Sequence, residues 1–230
     1  MFDMLGVGKH RYLSYTGNWA YNDEEELYDH NVKTRYREIE SNGWLNSKKA
    51  ISYSFNKWGF RSAEFETTGG IMFLGCSHVV GVGLAEYDTF SYIVSERLNL
   101  DLYRMGIGAG SNDSSFRVAN YWIPNLKPIY VVMVQTYNWR LELLTNNSIY
   151  NLNTGQSDEL TKGEYYRKFI HTPQNGDLLK KKNFYAIQQL CSIHGSKFLS
   201  LDADSDLFKI AASYGYARDL AHIGKQGNQH

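Results

Sequence analysis

The sequence predicts an α/β fold with a mostly parallel sheet, on three observations. Short, wholly apolar runs recur along the chain, as in Ile71-Met72-Phe73-Leu74 and Ile129-Tyr130-Val131-Val132-Met133-Val134. Runs of that kind suit strands buried on both faces, which is the situation in parallel sheets. Stripes of apolar residues at three- and four-residue steps lie between the runs, and strands alternating with such helices define the class.

The elements follow in order. The first 69 residues are polar, aromatic and weakly periodic, with Tyr12, Tyr15, Trp19 and Tyr21 just ahead of an acidic run from Asp23 to Glu26. So many aromatics argue against a disordered tail, and residues 1–69 read as an extension or cap packed on a main domain of residues 70–230. The first strand covers Ile71 to Leu74 and stops at Gly75; a loop with Gly81 and Gly83 follows, and Tyr87, Phe90, Val94 and Leu98 mark a helix. A second strand near Leu102–Met105 leads into Gly106-Ile107-Gly108-Ala109-Gly110; Phe116, Ala119 and Ile123 then form a helical stripe that Pro124 should end. The β-branched run 129–134 is the central strand. Residues 141–176 read as an insertion with some helix. Leu179, Ala186, Ile187, Leu190 and Cys191 make a long stripe stopped by Gly195, Lys197 to Leu201 a further strand, and Leu207, Ile210, Ala211 and Tyr214 a short helix ending at Gly215.

Bulk properties narrow the function. With 24 Lys+Arg against 24 Asp+Glu, the chain lacks the basic surplus of a nucleic-acid binder. No stretch is apolar for long enough to span a bilayer, and the first residues carry no basic-then-apolar leader, so a cytoplasmic or virion-associated protein is expected. Two cysteines, Cys76 and Cys191, do not form a disulfide framework. His10, His30, His78, His171, His194, His222 and His230 show no metal-ligand spacing, and no metal or other cofactor is expected.

In parallel sheets, sites form beyond the carboxyl ends of the strands, and the reactive residues sit there. Gly75-Cys76-Ser77-His78 is a small-residue turn directly after a buried strand, where a serine is presented at the sheet edge beside free backbone N–H groups. Asp219-Leu220-Ala221-His222 has the spacing that puts a carboxylate and an imidazole on one side of a helical turn, so the carboxylate can take the Nδ1 proton and leave Nε2 to accept one from a serine. The glycine loop offers backbone donors to an oxyanion, and Asn138, beyond the central strand, offers a side-chain amide. Cys76 with His78 is a rival nucleophile pair, set aside because Cys76 stands at the strand end, where burial makes it inert.

Taken together, these blocks resemble the SGNH hydrolase superfamily, the GDSL-like esterases and lipases. The serine block is Phe73-Leu74-Gly75-Cys76-Ser77-His78-Val79-Val80-Gly81-Val82-Gly83, the glycine block Met105 to Asp113, the asparagine block Thr136-Tyr137-Asn138-Trp139, and the last block Arg218-Asp219-Leu220-Ala221-His222-Ile223-Gly224. The resemblance covers residues 70–225. Asn56-Lys57-Trp58-Gly59-Phe60-Arg61 is similar to a lead-in of some members, and Arg140 with Glu142 is similar to an R-x-E of phage and environmental bacterial ones. The resemblance implies a three-layer α/β/α sandwich of flavodoxin-like type. It implies Ser77 as nucleophile, His222 as general base and then acid, and Asp219 as its orienting partner. The oxyanion would be held by the backbone N–H of Ser77, that of Ala109 (with Gly108 or Gly110 as the fallback) and the Asn138 side chain. The chain departs from the family in placing Cys76 where the acid of G-D-S stands, and in keeping only the asparagine of G-x-N-D. The expected activity is hydrolysis of a carboxylic ester through an acyl-enzyme. A polar, aromatic cap and the lack of a long apolar lid point to a small acyl group, acetyl, on a carbohydrate. The alternative is a carbohydrate-binding or virion structural protein on a hydrolase-like scaffold.

Overall fold

The computed structural model describes residues 4–145, 148–153 and 172–229. The chain opens with a small antiparallel pair, β1 (Thr16–Gly17) and β2 (Tyr53–Ser54), around helices α1 (Glu25–Thr34) and α2 (Tyr36–Ser41). The alternating part follows: β3 (Ile71–Gly75), α3 (Ser77–Val80), α4 (Phe90–Leu98), β4 (Leu102–Gly106), α5 (Asn112–Leu126) and β5 (Tyr130–Gln135). A hairpin of β6 (Arg140–Leu144) and β7 (Ile149–Asn153) precedes α6 (Pro173–His194), β8 (Lys197–Asp202), α7 (Asp206–Ser213) and α8 (Lys225–Gln229).

Four strands form one parallel sheet in the order β4-β3-β5-β8. The chain thus starts near the middle, steps to one side and then crosses to the other. The crevice at the carboxyl ends of β3 and β5 is the switch point where α/β sheets place ligands. Strand residues alternate between two layers of helix. Met72, Leu74 and Met133 pack towards Trp122 of α5 and Ile187 of α6. Ile71, Phe73 and Val132 pack towards Phe90 and Val94 of α4 and Phe208 of α7. Both faces being covered, β3 and β5 are apolar but for Gln135 at the end of β5, which explains their legibility as unbroken runs.

Four expectations need correction. Pro124 lies inside α5, which continues to Leu126 and is capped by left-handed Lys127. A proline in the last turn removes one N–H, and the burial of Ile123 and Leu126 on the sheet outweighs that loss. Tyr87 stands in a separate 3-10 turn and is 67% exposed; α4 begins only at Phe90, after Thr89 caps the Tyr92 N–H. The described part of residues 141–176 begins as the β6–β7 hairpin rather than helix, and 154–171 lie outside the described residues. In α7, Leu207 and Ile210 are 55% and 56% exposed, so this helix meets the core through Phe208 instead.

The segment before β3 packs into the rest of the chain. Tyr12, Tyr21, Ile39, Trp44, Tyr53 and Phe55 share one buried cluster with Val80, Val82, Ala217 and Leu220. The aromatic quartet is absorbed by packing: Tyr12 stacks on Phe55 at 4.6 Å between ring centroids, and the Trp19 ring lies 4.0 Å below the Arg218 guanidinium. Among the described residues, no helix is long and apolar enough to cross a membrane.

Candidate active site

Ser77 is the first residue of α3, directly beyond β3, with extended Cys76 before it. The following Gly81 is left-handed and ends α3 after one turn. The glycine loop runs beside this turn, since Ile107 N–H donates to Gly75 O at 2.9 Å. Ser77 therefore stands at the switch point of the sheet.

Asp219 and His222 meet directly: His222 Nδ1 lies 2.5 Å from Asp219 Oδ2. The turn that brings them together is not helical, as the spacing had suggested. Leu220 is left-handed, and Asp219 Oδ1 accepts the backbone N–H of both Ala221 and His222 at 3.1 Å. The carboxylate thus folds its own turn and grips the ring at its end. Its side chain is fully buried. Burial alone would raise the Asp219 carboxyl, but the bond to His222, the charge of that ring and the two backbone N–H groups hold it below its ordinary value. An ionised Asp219 holds the proton of the ring on Nδ1, the tautomer in which Nε2 can act as an acceptor.

A second buried carboxylate holds this turn from behind. The Arg218 guanidinium makes paired bonds to Asp23, at 2.9 Å from Nε and 2.7 Å from Nη2. Its remaining donors reach the carbonyls of Asn18, Ser47 and Lys48. Tyr53 donates to Asp23 at 2.6 Å and accepts the Gly83 N–H at 2.8 Å. Gly83 is left-handed, and a Cβ there would stand 2.8 Å from the Ala217 Cβ, so only glycine lets the α3 loop approach the turn that carries Asp219. The N-terminal segment therefore fixes the Asp219–His222 turn through Arg218, the residue immediately before it.

The expected oxyanion donors are placed differently. The Ser77 and Ala109 N–H groups donate to no protein acceptor among the described residues. Ala109 is left-handed, within a turn closed by Gly110 N–H to Ile107 O. Gly108 faces the Tyr21 ring, which would stand 2.2 Å from a Cβ there. Asn138 turns its amide to Asp177 at 2.8 Å, and its side chain is not part of the wall around Ser77. Nearby, Arg140 bonds Thr136 and the Gly110 carbonyl and stacks on Tyr137 and Trp139. Its companion in the R-x-E pattern, Glu142, instead makes a buried bidentate pair with Arg117.

Ser77 and His222 line one cavity of about 240 Å³. No hydrogen bond joins the Ser77 hydroxyl to the ring, a contact that in ligand-free sites commonly tightens only with substrate present. His78 stands on the same wall, its ring 5.2 Å from that of His222 and 5.5 Å from Phe208. Burial first, then the neighbouring His222 and Arg140, bring His78 down to about 4, so it is neutral at pH 7. Cys76 and Cys191 are both buried free thiols.

Sequence reasoning missed the Arg218–Asp23 clamp and Arg140 beside the glycine loop, and it favoured loop packing for His78, which lines the cavity. The first joins positions 195 residues apart, for which no local pattern exists. Among the described residues, no group of three His, Cys, Asp or Glu is arranged to hold a metal ion. What the arrangement offers is a serine beside an oriented imidazole, with free backbone donors nearby. No protein-family model matches this chain, and a search of curated proteins finds no similar sequence.

Proposed function

We propose that this protein is a serine ester hydrolase built on the three-layer α/β/α scaffold of the SGNH superfamily. The observation that carries the reading is the buried Asp219 bonded at 2.5 Å to Nδ1 of His222, which lines the same cavity as Ser77. His222 Nε2 takes the Ser77 proton as Oγ attacks the acyl carbonyl carbon. The tetrahedral intermediate collapses, the ester C–O bond breaks, and the departing alcohol receives that proton from His222. Water, deprotonated by the same nitrogen, then attacks the acyl-enzyme, releasing a carboxylic acid and restoring Ser77. The Ser77 and Ala109 N–H groups serve the oxyanion. Asn138 serves it only after release from Asp177. The acetyl-sugar substrate expected from the N-terminal aromatics has less to rest on, since Tyr12 and Tyr21 are buried in the joint with the main domain.

Hydrolysis of p-nitrophenyl butyrate by the purified protein and by Ser77→Ala tests the reading. Turnover that falls at least about a thousandfold in the variant, with an unchanged circular dichroism spectrum, supports it. Equal turnover by the two removes it. A folded protein inert towards every ester would favour a binding role on this scaffold.

A further inference from the structure

Resting on that reading, we infer that the acyl group recognised is a medium-length unbranched chain of roughly eight carbons, seated in the cavity beside Ser77. The wall is apolar: Leu84, Phe90, Ile93, Val94, Leu201 and Phe208 contribute to it. Apart from the two histidines, Arg97 is the one charged side chain among the described residues that line it. An apolar cavity of about 150 Å³ takes up benzene, so about 240 Å³ has room for roughly eight to ten carbon atoms. An acetyl group would leave most of that space unfilled. A sugar ring would find polar partners only at Arg97, Asn228, Gln229 and the Ser77 end, and would set its other hydroxyls against apolar wall, at a cost in binding.

The cavity is a slot walled by several elements and partly open to solvent. Asn228 on α8 accepts the Phe90 N–H and donates to the carbonyls of Ile223 and Gly224, which ties the C-terminal helix across α4. Phe208 and Ala211 of α7 line the cavity from another element. Because Ser77 and His222 both line the cavity, an acyl chain seated in it can present its carboxyl carbon to the nucleophile. His78, uncharged at neutral pH, lets that wall stay apolar next to the reacting group.

Two measurements test this. In the first, kcat/KM is measured for p-nitrophenyl esters from acetate to laurate. The expected profile peaks near octanoate, at least about tenfold above acetate, since each buried methylene favours binding severalfold. Val94→Trp, which fills the cavity, should move the peak to shorter chains and lower the octanoate-to-acetate ratio by about tenfold. Ala211→Phe on the half-exposed α7 should act in the same direction if Val94→Trp fails to fold. In the second, octanoate binding to Ser77→Ala is measured by calorimetry. Saturable binding that weakens at least about tenfold in the cavity-filled form supports the slot. A profile that peaks at acetate and is indifferent to the fillings would overturn the inference and leave the hydrolase reading intact. Octanoate binding without Ser77-dependent hydrolysis would keep the slot and sink the hydrolase reading. Failure of octanoate to bind would overturn the slot whatever the esterase result.

Discussion

Two sides of the candidate site are built from opposite materials. Behind Asp219, the buried Arg218 guanidinium, Asp23, Tyr53 and the Gly83 N–H form a network of short, directional bonds. In front of His222, the cavity is bounded by Val94, Leu201 and Phe208, whose contacts are non-directional. Bonds of the first kind fix atoms to within tenths of an ångström and break at a high cost in energy; contacts of the second kind yield to a change of shape. The difference separates two tasks. On the proposed hydrolase reading, the polar side positions the imidazole and the apolar side selects what is offered to it.

Changes on the polar side should then be the most severe. Asp219→Asn would present the wrong hydrogen-bonding partner to His222 Nδ1 and lower kcat about ten-thousandfold, with the fold retained by circular dichroism; a loss below tenfold would break the proposed division. Asp23→Ala would leave the Arg218 charge buried without its carboxylate, and denaturant titration should show a loss of about 3–5 kcal/mol. Esterase turnover should fall with it even at temperatures where the variant remains folded, because the Asp219 turn loses its backing.

The next effect concerns pH and sharpens the contrast from the apolar side. His78 titrates near 4 in the folded protein, mainly through burial, against about 6.5 in an unfolded chain. The unfolded state therefore binds the extra proton first. This contribution to stability is complete above about pH 6.5 and is lost progressively as pH falls towards 4, amounting to about 2–3 kcal/mol. His78→Phe should flatten the fall in melting temperature over that window; an identical slope would remove His78 as its source. Asp219, held below its ordinary value, is lost in a lower window, as pH falls below about 3.8. The smallest effect belongs to the wall itself: Phe208→Ala, at a partly exposed position, should cost about 1–2 kcal/mol in thermal denaturation and alter chain-length preference more than the rate with short esters.

The parallel strands were legible because burial on both faces makes them plain apolar runs, as at 71–74 and 129–134. The residues at the sheet's carboxyl edge were legible for a related reason: Ser77 directly follows such a run, and Asp219 with His222 forms a local pair. The hairpin of β6 and β7 was not, since β6 buries its charged Glu142 against Arg117 and exposes Leu143 and Leu144, the reverse of the usual pattern. The placement of Asn138 was hidden because its partner, Asp177, lies on α6, 39 residues away. The cavity was equally hidden, as its wall gathers residues from α3, α4, β8, α7 and α8. Local spacing reports a residue's nearest neighbours along the chain, whereas the clamp and the cavity come from chain crossings.

The most direct test of Ser77 as an activated nucleophile is covalent trapping. A fluorophosphonate is attacked by an activated serine oxygen, which forms a P–O bond and expels fluoride. Peptide mass spectrometry after treatment should find one adduct, on Ser77, that is absent from Ser77→Ala and formed far more slowly by Asp219→Asn. A folded protein that stays unlabelled, or that is labelled equally in Ser77→Ala, would contradict the hydrolase reading at its centre.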